Sequence, residues 1–163
     1  MAMIQQDLVP GSGDQLLTLD TDSNLQWLNL TVTAGRSYQE MLADFGGLRG
    51  SYGFRHATIT EVTGLLGRFG ITGSVTQIPA NAVPIETFIE FMNGKSAEGG
   101  ANLSVSALFE QTEIPSSPNT PVLGILMQLN KIMRGGSMDS TLIGKAGVPL
   151  PNVSSFLVKS AQA

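Results

Sequence analysis

The chain has 163 residues, enough for one domain with its own core, and it contains no cysteine, which excludes disulfides, thiolate metal sites and cysteine nucleophiles. Charged residues make up 13%, about half the share of an ordinary globular domain. The nine basic residues are scattered against a net charge of −4, so no cation cluster exists to grip nucleic acid or an anionic membrane.

Glycine is abundant, at 19 residues, and Ser, Thr and Asn are frequent. This is the composition of a neutral, polar surface, as in an exported or assembled protein. No segment approaches the ~20 apolar residues needed to span a bilayer. The opening MAMIQQDLVP has neither a basic region nor an apolar core, so it is no signal peptide as it stands. The expectation is that an export signal was removed and that Met1-Ala2 is an added start.

Residues 1–14 read as a polar lead-in ending in Pro10-Gly11-Ser12-Gly13, and residues 15–160 as one domain. Leu16 to Leu19 and Leu25 to Leu30 read as strands. Asp20 to Asn24 between them is turn chemistry, because Asp and Asn bond their own backbone. Ser37-Tyr38-Gln39-Glu40 is a capping box that opens a helix. Tyr38, Met41, Leu42 and Phe45 form its apolar stripe, and Gly46-Gly47 closes it.

Tyr52 to Ala57 reads as a strand with Phe54 and His56 on one side and Arg55 on the other. Thr58-Ile59-Thr60-Glu61 is a second capping box. Ile59, Val62, Leu65, Leu66 and Phe69 line one face of its helix, and Gly70 ends it. A third helix starts near Pro84, with Ile85, Phe88, Ile89 and Met92 as its stripe and Asn93-Gly94 as its stop. Leu103 to Glu110 alternates as a strand does. Pro115 to Pro121 is a loop, Val122 to Leu129 suits a strand or a helix, and Gly135-Gly136-Ser137 reads as a turn. Ser154 to Lys159 is a last strand with Phe156 and Val158 facing one way. The expected class is α+β: a mixed, mainly antiparallel sheet uniting the N-terminal hairpin, the 52–57 strand and the last strand, with two to three helices packed on it.

The runs LLTLDTDSNLQWLNL, SYQEML, GFRHAT and ITEVTGLLGRFGI, with the closing SSFLVKS, resemble a family of bacterial exported proteins, many with a PEP-CTERM sorting tail. The family pattern is a "GLLTxDxxTGLEWLDLT" strand pair, an "SYxxxLA" helix, a "GWRxAT" strand, an "EVxxLF" helix and a "GSWLVR" strand. The match covers the first half and the last strand; residues 72–150 match loosely. More distantly the chain is similar to the C-terminal domain of collagen-like bacterial adhesins, with their C-type-lectin-like folds. The resemblance implies a secreted or cell-surface biofilm-matrix or adhesion protein that is no enzyme. Its partners would be extracellular polysaccharide or copies of itself in a filament or surface layer. Two departures stand out: Ser23-Asn24 replaces Thr-Gly in the hairpin, and Phe54 replaces the Trp of the arginine strand. The family's PEP motif, span and basic tail are not in the chain.

Several residue groups invite chemistry. Asp20, Asp22 and Asn24 have the spacing that opens many calcium loops, but Leu25 and Thr31 stand where an EF-hand needs Gly and Glu. A hairpin turn is the simpler reading. His56 is the only histidine, so any Ser–His mechanism would use it, yet no G-x-S-x-G elbow accompanies it. Glu86 with Glu90, and Glu40 with Asp44, have i,i+4 spacing, which usually means a solvated helix face. Gly94-Lys95-Ser96 lacks the phosphate-loop glycine at Ile89, and Gly11-Ser12-Gly13 lacks a preceding strand and a following helix. Trp27, Tyr52 and Phe54 are candidate sugar-stacking platforms. Alternation pairs Trp27 with Leu25 and favours a core position for it. Arg55 reads as a brace between its strand and a carboxylate or carbonyl.

Overall fold

The computed structural model describes residues 2–93, 102–130, 132, 134–150 and 152–161. The N-terminal elements are β1 (Met3–Gln6), β2 (Leu17–Asp20), β3 (Leu25–Leu28), α1 (Tyr38–Leu42), β4 (Arg55–His56) and α2 (Ile59–Phe69). There follow β5 (Ser74–Ile78), α3 (Ala82–Asn93), β6 (Asn102–Leu108), β7 (Pro121–Asn130), β8 (Gly135–Lys145), β9 (Val153–Ser155) and β10 (Leu157–Ser160). The class is α+β, as the sequence indicates, with the strands in two five-stranded sheets. The first has the order β1-β2-β3-β10-β4 and the second β5-β8-β7-β6-β9.

The first sheet gathers the expected strands. The hairpin β2–β3 is antiparallel with Leu17 opposite Leu28, and β10 lies between β3 and β4. Within residues 1–14, read as a lead-in, Met3–Gln6 forms the outer strand β1 against β2. The 52–57 strand contracts to two residues, though its alternation stands: Phe54 and His56 are buried and Arg55 is exposed.

Both capping boxes form. Ser37 Oγ accepts the Glu40 N–H while the Glu40 carboxylate accepts the Ser37 N–H, and Thr58 with Glu61 repeats the pattern. Gly70 ends α2 at φ 87°, a left-handed angle that glycine adopts without strain. α1 stops at Leu42, earlier than its stripe suggests. Asp44 then takes φ 67°, and its carboxylate accepts the N–H groups of Arg49 and Gly50, so the chain turns instead of coiling.

The second sheet was not anticipated as a unit. Val122 to Leu129 resolves as a strand, and β7 pairs along its whole length with β8. Gly135-Gly136-Ser137, read as a turn, opens β8 instead. A Cβ on Gly136 would meet Ile85 Cδ1 at 2.6 Å and Asn81 Cβ at 3.1 Å. The glycine is there for close approach of β8 to the start of α3, not for bending. The final strand divides at Phe156: β9 runs parallel to β6 in the second sheet, and β10 belongs to the first.

One core lies between the sheets. It joins Trp27, Phe156 and Val158 to Val62, Leu65 and Leu66 of α2, the α3 stripe, and Val105, Ile125, Met127 and Leu129 of the second sheet. A smaller cluster on the other face of the first sheet joins Leu17, Leu28, Phe54 and Leu157 to Met41 and Leu48. Burying side chains of this size stabilises by about 1.5–3 kcal/mol each. Among the described residues no helix is long and apolar enough to cross a membrane.

Candidate functional site

The sequence-derived candidates fall into place one by one. Asp20 is 1% exposed and its carboxylate is fully used. Oδ1 accepts the N–H groups of Asp22 and Ser23, and Oδ2 accepts the Ser23 hydroxyl at 2.6 Å and Arg68 Nε at 3.0 Å. Arg68 Nε also stands 4.0 Å from Asp22. A guanidinium from the last turn of α2 therefore occupies the cationic position that calcium would take. Asn24 supplies the left-handed turn residue at φ 56°. The hairpin reading of Asp20, Asp22 and Asn24 fits this geometry, and no cluster of three or more metal-ligating His or acidic residues occurs among the described residues.

The aromatic candidates require correction. Trp27 and Phe54 are 1% and 2% exposed, so neither offers a ring face to a ligand. Trp27 packs edge-on against Phe156 at 6.4 Å, and its Nε1 has no hydrogen-bond partner among the described residues. Phe54 sits in the small cluster with Lys159 Nζ over its ring at 4.8 Å. Tyr52 is half-buried against the same cluster. The three do not form a platform, because strand alternation turns two of them inward.

His56 makes a contact that the sequence alone did not disclose. Its Nε2 lies 3.2 Å from Ser155 Oγ, and its ring stacks on Tyr38 at 4.3 Å. Burial, reinforced by the Arg49 charge, pushes its pKa down to about 4. Ser155 and His56 are both enclosed, and Ser155 is further tied by its N–H to Thr33 Oγ1. A proton shuttle at neutral pH needs a histidine that charges readily and a serine that substrate can reach. This pair has neither property and works as a buried polar joint.

The carboxylate pairs separate in the same way. Glu86 and Glu90 lie on the exposed face of α3. Glu40 is engaged in its capping box and with Arg36 at 3.6 Å, while Asp44 lies beyond the helix. Glu61 takes a two-pronged bond from Arg55, at 2.8 and 2.6 Å, which holds its pKa down at about 2. Gly94-Lys95-Ser96 lies outside the described residues.

The open concavity with a coherent lining runs along the edge of the second sheet. Thr31, Ala34, Ser104, Val105, Ser106, Asn152 and Ser154 border a groove of about 330 Å³. Its origin is in the register. β9 stands opposite Ser106, Ala107 and Leu108 only, so the first half of β6 carries no strand on that side among the described residues. The Leu108 carbonyl accepts the Phe156 N–H at 2.8 Å on this edge. Strand geometry repeats every two residues, so Ser104 turns its backbone groups to the same edge. The outer wall is the short 3₁₀ turn Leu30–Val32, held to β9 by hydrogen bonds between Thr33 and Ser155.

The lining is uncharged, with four hydroxyls and one amide. The alternation Leu103-Ser104-Val105-Ser106 was visible in the sequence. What placed Thr31 and Asn152 beside it was not, because this depends on a pairing between segments some fifty residues apart.

No family model matches the chain, no curated protein matches it, and no solved structure matches it.

Proposed function

We propose that this protein is a non-catalytic module of the bacterial cell exterior or extracellular matrix, and that the groove along β6 holds an uncharged polysaccharide. The observation that carries this reading is the groove's lining: hydroxyls and an amide in a shallow, open, charge-free channel. Such a surface exchanges hydrogen bonds with a neutral polyol without desolvating an ion. With no aromatic ring in the lining, binding is weak at one site and depends on many contacts along a polymer. The resemblance to exported proteins supplies the setting.

Affinity electrophoresis through gels containing dextran or alginate tests the assignment. The neutral dextran is expected to retard the protein and the anionic alginate is not. Ser104→Arg and Asn152→Arg, which fill the groove, should each reduce retardation about tenfold. Unchanged retardation in both variants, or none in any neutral polysaccharide, would defeat the reading.

A second reading, a self-assembling structural subunit, draws on a different observation. The edge strands β1 (MIQQ) and β5 (SVTQI) carry no charge and no proline. Natural sheets usually protect edges with such residues.

A further inference from the structure

We propose that the outer edge of β1 is a homotypic docking surface, on which a second copy of this chain pairs antiparallel about a twofold axis at Ile4. The Ala2 carbonyl accepts the Thr21 N–H at 3.1 Å, and the register sets Met3 opposite Asp20 and Ile4 opposite Leu19. In an antiparallel ladder, residues that exchange bonds alternate with residues that do not. Ala2, Ile4 and Gln6 therefore face β2 with their backbone groups. Met3 and Gln5 direct their N–H and C=O groups away from it.

That spacing is self-complementary. With Ile4 opposite Ile4 of a second copy, Met3 falls opposite Gln5 of that copy and Gln5 opposite its Met3. Each of these two pairs exchanges two hydrogen bonds, four in all, and the isoleucines meet at the close, non-bonded position. Ile4 is 45% exposed and lies on the sheet face that carries Leu17 and Leu28. The pair would remove it from water.

Nothing in Met-Ile-Gln-Gln opposes its own image: it brings no like charges together and has no proline to interrupt the ladder. The product is a ten-stranded sheet running across two copies. Because the same patch serves both, the contact closes on itself and yields a dimer, not a filament. Three paired strand residues from each copy make a small contact, so the dimer is weak and depends on concentration. It would also carry two β6 grooves and so strengthen attachment to a repeating polymer. This inference does not rest on what the groove binds.

The test is sedimentation equilibrium of the full chain over a hundredfold concentration range. The weight-average mass should rise from monomer toward twice that value and stop there. Ile4→Lys should hold the protein monomeric at every concentration, and so should Gln5→Pro, which removes an outward N–H; far-UV circular dichroism should stay unchanged in both. Mixing Ile4→Lys with Ile4→Glu should restore the doubled mass, a rescue that misfolding cannot imitate. A wild-type mass that never rises, a dimer that survives both substitutions, or growth past two copies would each overturn the proposal.

Discussion

Strands β1, β2, β3, β4 and β10 of the first sheet are two to four residues long, whereas β7 and β8 of the second run for ten and eleven. The short ladders of the first sheet and the helices beside it carry side-chain anchors: the Asp20–Arg68 pair, two capping boxes and the Arg55–Glu61 fork. The long strands are held by their own ladder and by glycines that let neighbours approach. A Cβ on Gly124 would lie 2.5 Å from the Ala107 carbonyl oxygen on the adjacent strand. Side-chain anchoring uses up polar groups and leaves few spare near the first sheet's core. Backbone anchoring leaves hydroxyls spare, and the groove is lined by those of β6 and its neighbours.

The strongest way to break this contrast is to ask whether the two halves unfold separately. Phe156 lies where they join. It is fully buried, its N–H donates to Leu108 in the second sheet, and its carbonyl accepts from Ala57 beside the first. Phe156→Ala should cost about 3–5 kcal/mol. If the halves form one cooperative unit, thermal melts followed by near-UV and far-UV circular dichroism will shift together and remain coincident. Two separated transitions would mean that the sheets are independent and that the shared core is looser than the packing indicates.

Arg68→Met sharpens the contrast from the side-chain half. It leaves the Asp20 carboxylate buried without its cation, and removing one partner of a buried pair destabilises by about 3 kcal/mol. The double replacement Asp20→Asn with Arg68→Met should recover more than half of that loss in urea denaturation. If the single substitution is neutral, the hairpin turn does not depend on α2 and the side-chain anchor is ornamental. The same pair of variants addresses calcium. Were Asp20, Asp22 and Asn24 a metal site, removing Arg68 would make stability respond to added calcium; here it is expected to stay unresponsive.

These differences also decide what could be read without the structure. Capping boxes at Ser37 and Thr58 are local, four residues each, and both form. Alternation turns Trp27 into the core between the sheets and Phe54 into the cluster on the opposite face, so both pack inward and leave no sugar platform. The reading of Gly135-Gly136 failed because a glycine that permits contact looks identical to one that permits a turn; the difference is Ile85, some fifty residues away. β1 was hidden by its polar composition, since an outer strand needs few apolar residues. The groove was legible only as the serines of β6. Its far wall and its open edge depend on a three-residue parallel pairing at Val153 to Ser155 that no local pattern announces.

The smallest expected effect near neutral pH is an acid titration in the side-chain half. His56 has a folded-state pKa near 4, below its ordinary 6.5, so the unfolded chain takes up a proton before the folded one does. Its contribution is complete above pH 6.5 and is lost as pH falls toward 4. Glu61, held near 2 by the Arg55 fork, contributes fully above its ordinary 4.5 and is lost as pH falls from there toward 2. Stability should therefore decline in two overlapping steps. Between pH 7 and 6 the loss from His56 is about 0.7 kcal/mol, growing below that. His56→Phe should flatten the step between pH 6.5 and 4 and leave the lower one in place, whereas Glu61→Gln should flatten only the lower. A midpoint series in urea from pH 7 to 3 resolves the two. If His56→Phe leaves the upper slope unchanged, the histidine is already solvated and the Tyr38–His56–Ser155 joint is open to water.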